Sequence, residues 1–180
     1  KSTELRSSPT EKYNVLVRFK IFQSEGGPIP NSAVITGAKL SLYKYTTYDS
    51  VFAAYRVKKD WLETEATWLR ARQNLPWTKP GELNTDDFVT APDGTANIGW
   101  GPSWLAMDVT AGVRAFAGGE FNAGWKIIGI SGNSNTKTFY SREWGTPDLR
   151  PKLEITYSLD SAGAAPTAEP VASNTQNTQT

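Results

Sequence analysis

"VITGAKLSLYKYTTY", residues 34–48, sets Ala38, Leu40 and Leu42 against Lys39, Ser41 and Tyr43. Side chains on a strand alternate between faces, so this period of two predicts a long strand with one face in a core and one towards water. Working outward, the same signal returns in short runs. "YNVLVRFKIF" (13–22) lies before it, across a break at "PIPNSA" (28–33), and "SVFAAYRV" (50–57) lies after it. Further on come "WKIIGI" (125–130), "TKTFYSR" (136–142) and "PKLEITY" (151–157). Runs of this length, punctuated by Gly, Pro, Asn and Ser, read as strands of an antiparallel sandwich or barrel.

Three segments depart from that pattern. "DVTAGVRAFAGG" (108–119) carries Val109, Val113 and Phe116 at helical spacing, with Asp108 or Thr110 to cap it and Gly118-Gly119 to stop it. Residues 72–103 are rich in Gly, Pro, Asn and Asp yet hold Trp77 and Trp100, with Trp104 just beyond. So long an irregular insertion in a compact domain is usually functional, and its aromatics argue for order. From about Ser161 the chain turns to Ala, Pro, Thr, Asn and Gln, a composition that cannot pack a core. The expected organisation is therefore a β domain over residues 1–158 with one short helix, then a tail or linker over 159–180.

Composition removes whole classes of chemistry. With no histidine among 180 residues, Ser-His-Asp and Cys-His catalysis and imidazole metal sites are excluded. With no cysteine, thiolate zinc sites, redox motifs and disulfides go too. A net charge of +1 gives no basic stripe for nucleic acid, and no apolar run approaches the ~20 residues of a membrane helix. The opening "KSTELRSSPT" contains no apolar signal-peptide region.

The order of these pieces resembles the DNRLRE-type domains grouped with carbohydrate-binding module family 96. The resemblance rests on "LVRF" (16–19), "ITGAKLSLY" (35–43), "YRVKKDWLETEATW" (55–68), "DVT" (108–110), "GWKIIGI" (124–130), "SRE" (141–143) and "LRPKLEITY" (149–157), and covers Leu16 to Tyr157. It implies an all-β, jelly-roll-like antiparallel β-sandwich with one short helix, a polysaccharide ligand, and a place outside the cell or on its surface. It also implies one more strand ahead of "STELRSSPTEKYNVLVRF". That strand is expected to be missing here, either because the boundary is truncated or because a neighbouring molecule supplies it.

Each candidate site has a structural alternative. In "SREWGTPDLRP" (141–151), Arg142 and Arg150 have the forked geometry that reads carboxylates, but the framework reading, in which these charges lock two strands, is preferred. Glu63 and Glu65 resemble a glycosidase acid and base, yet residues two apart on one strand do not face each other across a cleft. No catalytic residue is therefore expected, although Tyr140 beside Arg142 keeps a lyase as a minor reading. Core and turn roles are expected for Trp61 and Trp68, and a core position for Trp104. Trp77, Trp100 and Trp144 sit beside Gly and Pro, where an indole can instead stack on a sugar ring, with Asn84, Asp86, Asp87, Asp93 and Asn97 as hydroxyl partners. Packing and binding stay open for these three.

The expected ligand residues are Trp77, Trp100, Trp144, Tyr140 and Arg142. The acidic "NTDDFVTAPDGTAN" (84–97) offers oxygens to Ca²⁺ but lacks EF-hand spacing, so turn chemistry is preferred and no cofactor is expected. The leading function is a non-catalytic extracellular polysaccharide-binding module. The alternative is a structural subunit that self-associates into a filament or surface layer by strand complementation.

Overall fold

The computed structural model describes residues 2–7, 13–132, 134–159 and the backbone of 174–177. Two antiparallel sheets face each other across one core. The first contains β1 (Glu4–Ser7), β3 (Ala33–Lys44), β8 (Ser103–Asp108), β10 (Lys137–Tyr140), β11 (Lys152–Leu159) and β12 (Asn174–Asn177). In it β8 lies on one side of β3, while β11 and β10 follow each other along the other side. The second sheet orders β2 (Val15–Val17), β9 (Trp125–Gly132), β4 (Ser50–Arg56) and β7 (Gly94–Ile98). From β1 to β4 every step of the chain crosses between sheets, as it does again from β7 to β10, which is jelly-roll winding. A separate hairpin of β5 (Arg70–Arg72) and β6 (Leu75–Pro76) turns at Asn74, held at φ 62°, a left-handed conformation that Asn tolerates.

The founding alternation holds. Leu40 and Leu42 are wholly buried, and each such side chain contributes about 1.5–3 kcal/mol by leaving water. Ile35 and Ala38 are also buried although three residues apart, because the register against β11 slips at Thr36–Gly37. One extra residue there turns Ile35 back to the core face. Helix α1 (Thr110–Ala117) closes one end of the core with Val113 and Phe116, and the Asp108 carboxylate accepts the Thr110 N–H at 2.8 Å.

Two strand expectations are corrected. "YNVLVRFKIF" is a strand only over Val15–Val17, because its later half leaves the ladder for a 3₁₀ turn at Gln23–Glu25 while still burying Ile21 and Phe22, the latter in an isolated bridge to Ile29. The irregular insertion is not 72–103: residues 94–98 are β7, paired with β4, and β8 begins at Ser103. Gly94 permits this, since a Cβ there would lie 1.9 Å from the Asp108 carbonyl oxygen.

The irregular segment runs instead from Val57 to Asp93, and it folds over the outer face of the second sheet. There it builds a small second core of Val57, Trp61, Ala71, Trp77, Phe88 and Ala123. The Trp61 indole N–H donates to the Ala123 carbonyl at 2.7 Å, and that of Trp77 to the Thr67 carbonyl at 2.9 Å. Asp87, fully buried, ties the segment together by accepting from the Thr78 N–H (2.8 Å), the Thr78 hydroxyl (3.0 Å), the Asn84 amide (3.0 Å) and the Lys59 ammonium (2.6 Å). Of the tail, β12 pairs antiparallel with Glu154–Tyr157 of β11. The stalk-like residues 160–173 lie outside the described residues.

Candidate functional site

Leu16 of β2 and Lys126 of β9 are cross-strand partners. Their neighbours Val15, Val17, Trp125 and Ile127 fill the main core, so the pleat turns Leu16 and Lys126 to the opposite face. The insertion roofs this face incompletely and leaves a cavity of about 200 Å³ between itself and the sheet. Trp68, Trp77, Gly81 and Phe88 form its walls and Tyr13 its rim, while Leu16 and Lys126 belong to the sheet side.

The aromatic walls are fixed in different ways. Trp77 stacks on Phe88 with ring centroids 5.6 Å apart and belongs to the second core. Trp68 belongs to neither core and rests against Gly81, whose φ of +77° and missing side chain both matter. A Cβ on Gly81 would fall 1.7 Å from the indole ring. Tyr13 is 43% exposed. Lys126 is only 3% exposed, and its ammonium donates to the Gly81 carbonyl at 3.0 Å and lies 4.6 Å from the Phe88 centroid. Burial pushes its pKa down to about 8, against the opposing pull of the Asp87 charge.

A second hollow of about 300 Å³ lies farther along β2 and shares Leu16 with the first. Leu5, Phe19 and Trp61 supply its apolar surface, and Arg18, Lys20, Glu63 and Arg142 its polar surface. Arg142 is held there by Glu63 at 2.5 Å and by the adjacent Glu143 at 3.1 Å. Arg18 lies over the Trp61 ring at 5.3 Å and pairs with Asp60 at 2.9 Å.

The expected ligand residues are therefore scattered. Trp77 lines the first cavity as a buried wall, and Arg142 lines the second. Tyr140 and Trp144 lie on the outer face of the first sheet, stacked at 3.9 Å and 8°. Tyr45 and Tyr43 also lie nearly parallel to Tyr140, with ring centroids 4.8 and 5.7 Å away. The Trp144 indole N–H is buried without a hydrogen-bond partner. Tyr140 is thus packed among three other rings.

Trp100 is 69% exposed beside Tyr48, on a loop pinned by the buried Lys44 ammonium donating to the Gly99 carbonyl at 2.6 Å. Trp104, expected in the core, is 37% exposed and meets Tyr43 edge-on, because it occupies an outward position of β8, one residue ahead of inward Leu105.

Among the proposed hydroxyl partners, Asn84 and Asp87 bond within the insertion, and Asp93 accepts the Trp125 indole N–H at 2.8 Å. Asp86 and Asn97 are exposed. Glu63 and Glu65 sit on turns, not on one strand: Glu63 meets Arg142, and Glu65 accepts the Gln73 N–H at 2.7 Å. Arg150 does not bridge two strands either, since it donates to the Trp144 carbonyl within the same turn at 2.7 Å. Both partners of the Arg142–Glu63 pair are more than a third exposed, so Arg142→Ala is expected to cost less than about 1 kcal/mol in a denaturation curve. No group of three or more acidic side chains among the described residues is placed to hold a metal ion, and no helix among them is long and apolar enough to cross a membrane.

The sequence reading missed Tyr13 and Lys126, and it gave Trp68 a core or turn role where the structure puts it in a bend outside both cores, against the cavity. Comparison with known proteins gives one family: a model described as carbohydrate-binding module family 96 matches residues 2–157. No curated protein matches the chain.

Proposed function

The chain belongs to carbohydrate-binding module family 96, and from that premise we propose that it is a non-catalytic module that holds polysaccharide outside the cell through the cavity walled by Trp68, Trp77 and Phe88. The observation that carries this reading is an aromatic pocket beside the second sheet with one wall, Trp68, outside both cores. A sugar ring presents an apolar C–H face to such walls, while its hydroxyls find Asn14 and Thr67 at the edge. Aromatics spent on stability alone would sit in a core, as Phe116 and Trp125 do.

Affinity electrophoresis against a panel of neutral and acidic polysaccharides tests the reading. At least one glycan is expected to retard the wild type, and Trp68→Ala to weaken that binding about tenfold, which is about 1.4 kcal/mol. No retardation by any glycan, or full retention by Trp68→Ala, would sink it.

One observation favours the alternative reading of a self-assembling subunit. The edge of β11 takes up Asn174–Asn177 as an added antiparallel strand, and a strand from a neighbouring chain would fit the same edge in its place. Light scattering at rising concentration decides it: growth into polymers supports assembly, and a constant monomer mass rejects it.

A further inference from the structure

Resting on the glycan-binding reading, we propose that the two hollows along β2 are consecutive subsites that capture the end of a glycan chain, with the terminal ring in the Trp68–Trp77 cavity and the next residues across Leu16 in the Arg142 hollow. Size is the first argument. At about 200 Å³ the inner cavity holds roughly seven waters by bulk volume, less than a drug-sized site of ~300–1,000 Å³, and that is the space of a single pyranose. An internal stretch of polymer needs a passage open at both ends. Two of the walls here are held in place, Trp68 against Gly81 and Phe88 under the Lys126 ammonium, and neither is free to swing aside for a passing chain.

Direction is the second argument. The cavity's neighbour along the sheet edge is the Arg142 hollow, joined to it through Leu16. From Leu16 to Lys20 the edge measures at most about 13 Å at ~3.3 Å per residue, the length of about two sugar rings. The chemistry also changes along that line. The inner subsite is aromatic, with an ammonium already committed to a main-chain carbonyl, and suits the ring's C–H face. The outer subsite mixes Phe19 and Trp61 with Arg18, Lys20 and Arg142, which donate to ring and glycosidic oxygens.

Fragmentation distinguishes ends from interiors. A polysaccharide that retards the protein is cut by limited acid hydrolysis to several mean lengths, and calorimetric capacity is measured per gram of glycan. Capture of ends predicts capacity rising in proportion to the number of chains, and affinity for purified oligosaccharides levelling off after about three residues. Arg142→Ala is expected to remove the affinity gained on passing from mono- to disaccharide, and Trp68→Ala to weaken both about tenfold.

Capacity per gram unchanged by cutting, or affinity still climbing at longer lengths, overturns chain-end capture while leaving glycan binding in place. Arg142→Ala retaining the full disaccharide gain overturns the outer subsite. Absence of binding to every glycan removes the underlying reading and this proposal with it.

Discussion

Asp87→Ala is expected to dismantle the cavity and leave the sandwich standing. The carboxylate is fully buried and accepts from two Thr78 donors, Asn84 and Lys59, so its removal orphans several donors at once. Each buried donor left unpartnered costs about 1–3 kcal/mol, though Lys59 can fall back on the Pro76 carbonyl and on water, so a loss of about 3 kcal/mol is expected. That loss is local. The ion pairs, hydrogen bonds and ring stack it weakens all lie between Val57 and Asp93, none of them in the two sheets. Hydrogen exchange should accelerate at Thr78 and Phe88 with β3 and β9 still protected, and glycan binding should disappear. Global unfolding at the same denaturant concentration as loss of the insertion would refute this division.

The same hub sets an expected acid response. Burial alone would raise the Asp87 pKa, but the hydrogen bonds from Lys59, Asn84 and Thr78 more than offset it and hold the carboxyl below its usual range. A depressed carboxyl pKa means that the unfolded segment binds the proton first. The stabilisation is therefore complete above the unfolded value of about 3.9 and is lost as pH falls through the lower folded value. Asp93 has the opposite sign. Burial raises its pKa in spite of the Trp125 hydrogen bond and the Arg56 charge, so its protonation in acid does not weaken the fold. Binding is thus expected to fail in acid before the far-ultraviolet spectrum of the sandwich changes.

How much of this was legible in the sequence depended on which face a residue serves. Leu40, Leu42, Leu153 and Ile155 announced themselves because β3 and β11 each set an apolar face against a polar one. β7 did not, since "GTANI" is half polar and opens on a glycine. The register slip at Thr36–Gly37 hid Ile35's role, because a bulge breaks the period of two that the reading relies on. In the site, periodicity says nothing about irregular loops: it could not tell that Trp77 enters a core and Trp68 does not. Lys126 was hardest. A lysine between Trp125 and Ile127 reads as the solvated side of a strand, and only the insertion folding over that face buries it. The resemblance located the framework but was silent on the cavity, because the segments carrying it are mostly strands.

The largest loss is expected from Asp93→Ala. This carboxylate joins three elements: it accepts the indole N–H of Trp125 on β9, lies 3.1 Å from the Arg56 guanidinium on β4, and touches Gly112 of α1 so closely that a Cβ there would fall 2.2 Å from its oxygen. Both side chains of the ion pair are largely buried. Deleting one partner strands a buried charge, which costs about 3–5 kcal/mol, whereas the intact pair is close to neutral against an apolar replacement. Glu120, 2.6 Å from Arg56, softens the loss only in part, since it is itself more than a third exposed. Four variants, Arg56→Met alone among them, separate the contributions in urea denaturation. Asp93→Ala loses charge and acceptor together, and Asp93→Asn keeps an acceptor for Trp125 and should lose less. The double variant Asp93→Asn with Arg56→Met should recover part of the single loss, because no buried cation is left without its counter-charge. Strict additivity of Arg56→Met and Asp93→Asn would show instead that the two groups stabilise the sandwich independently, and that Trp125, not the ion pair, is what Asp93 is there to hold.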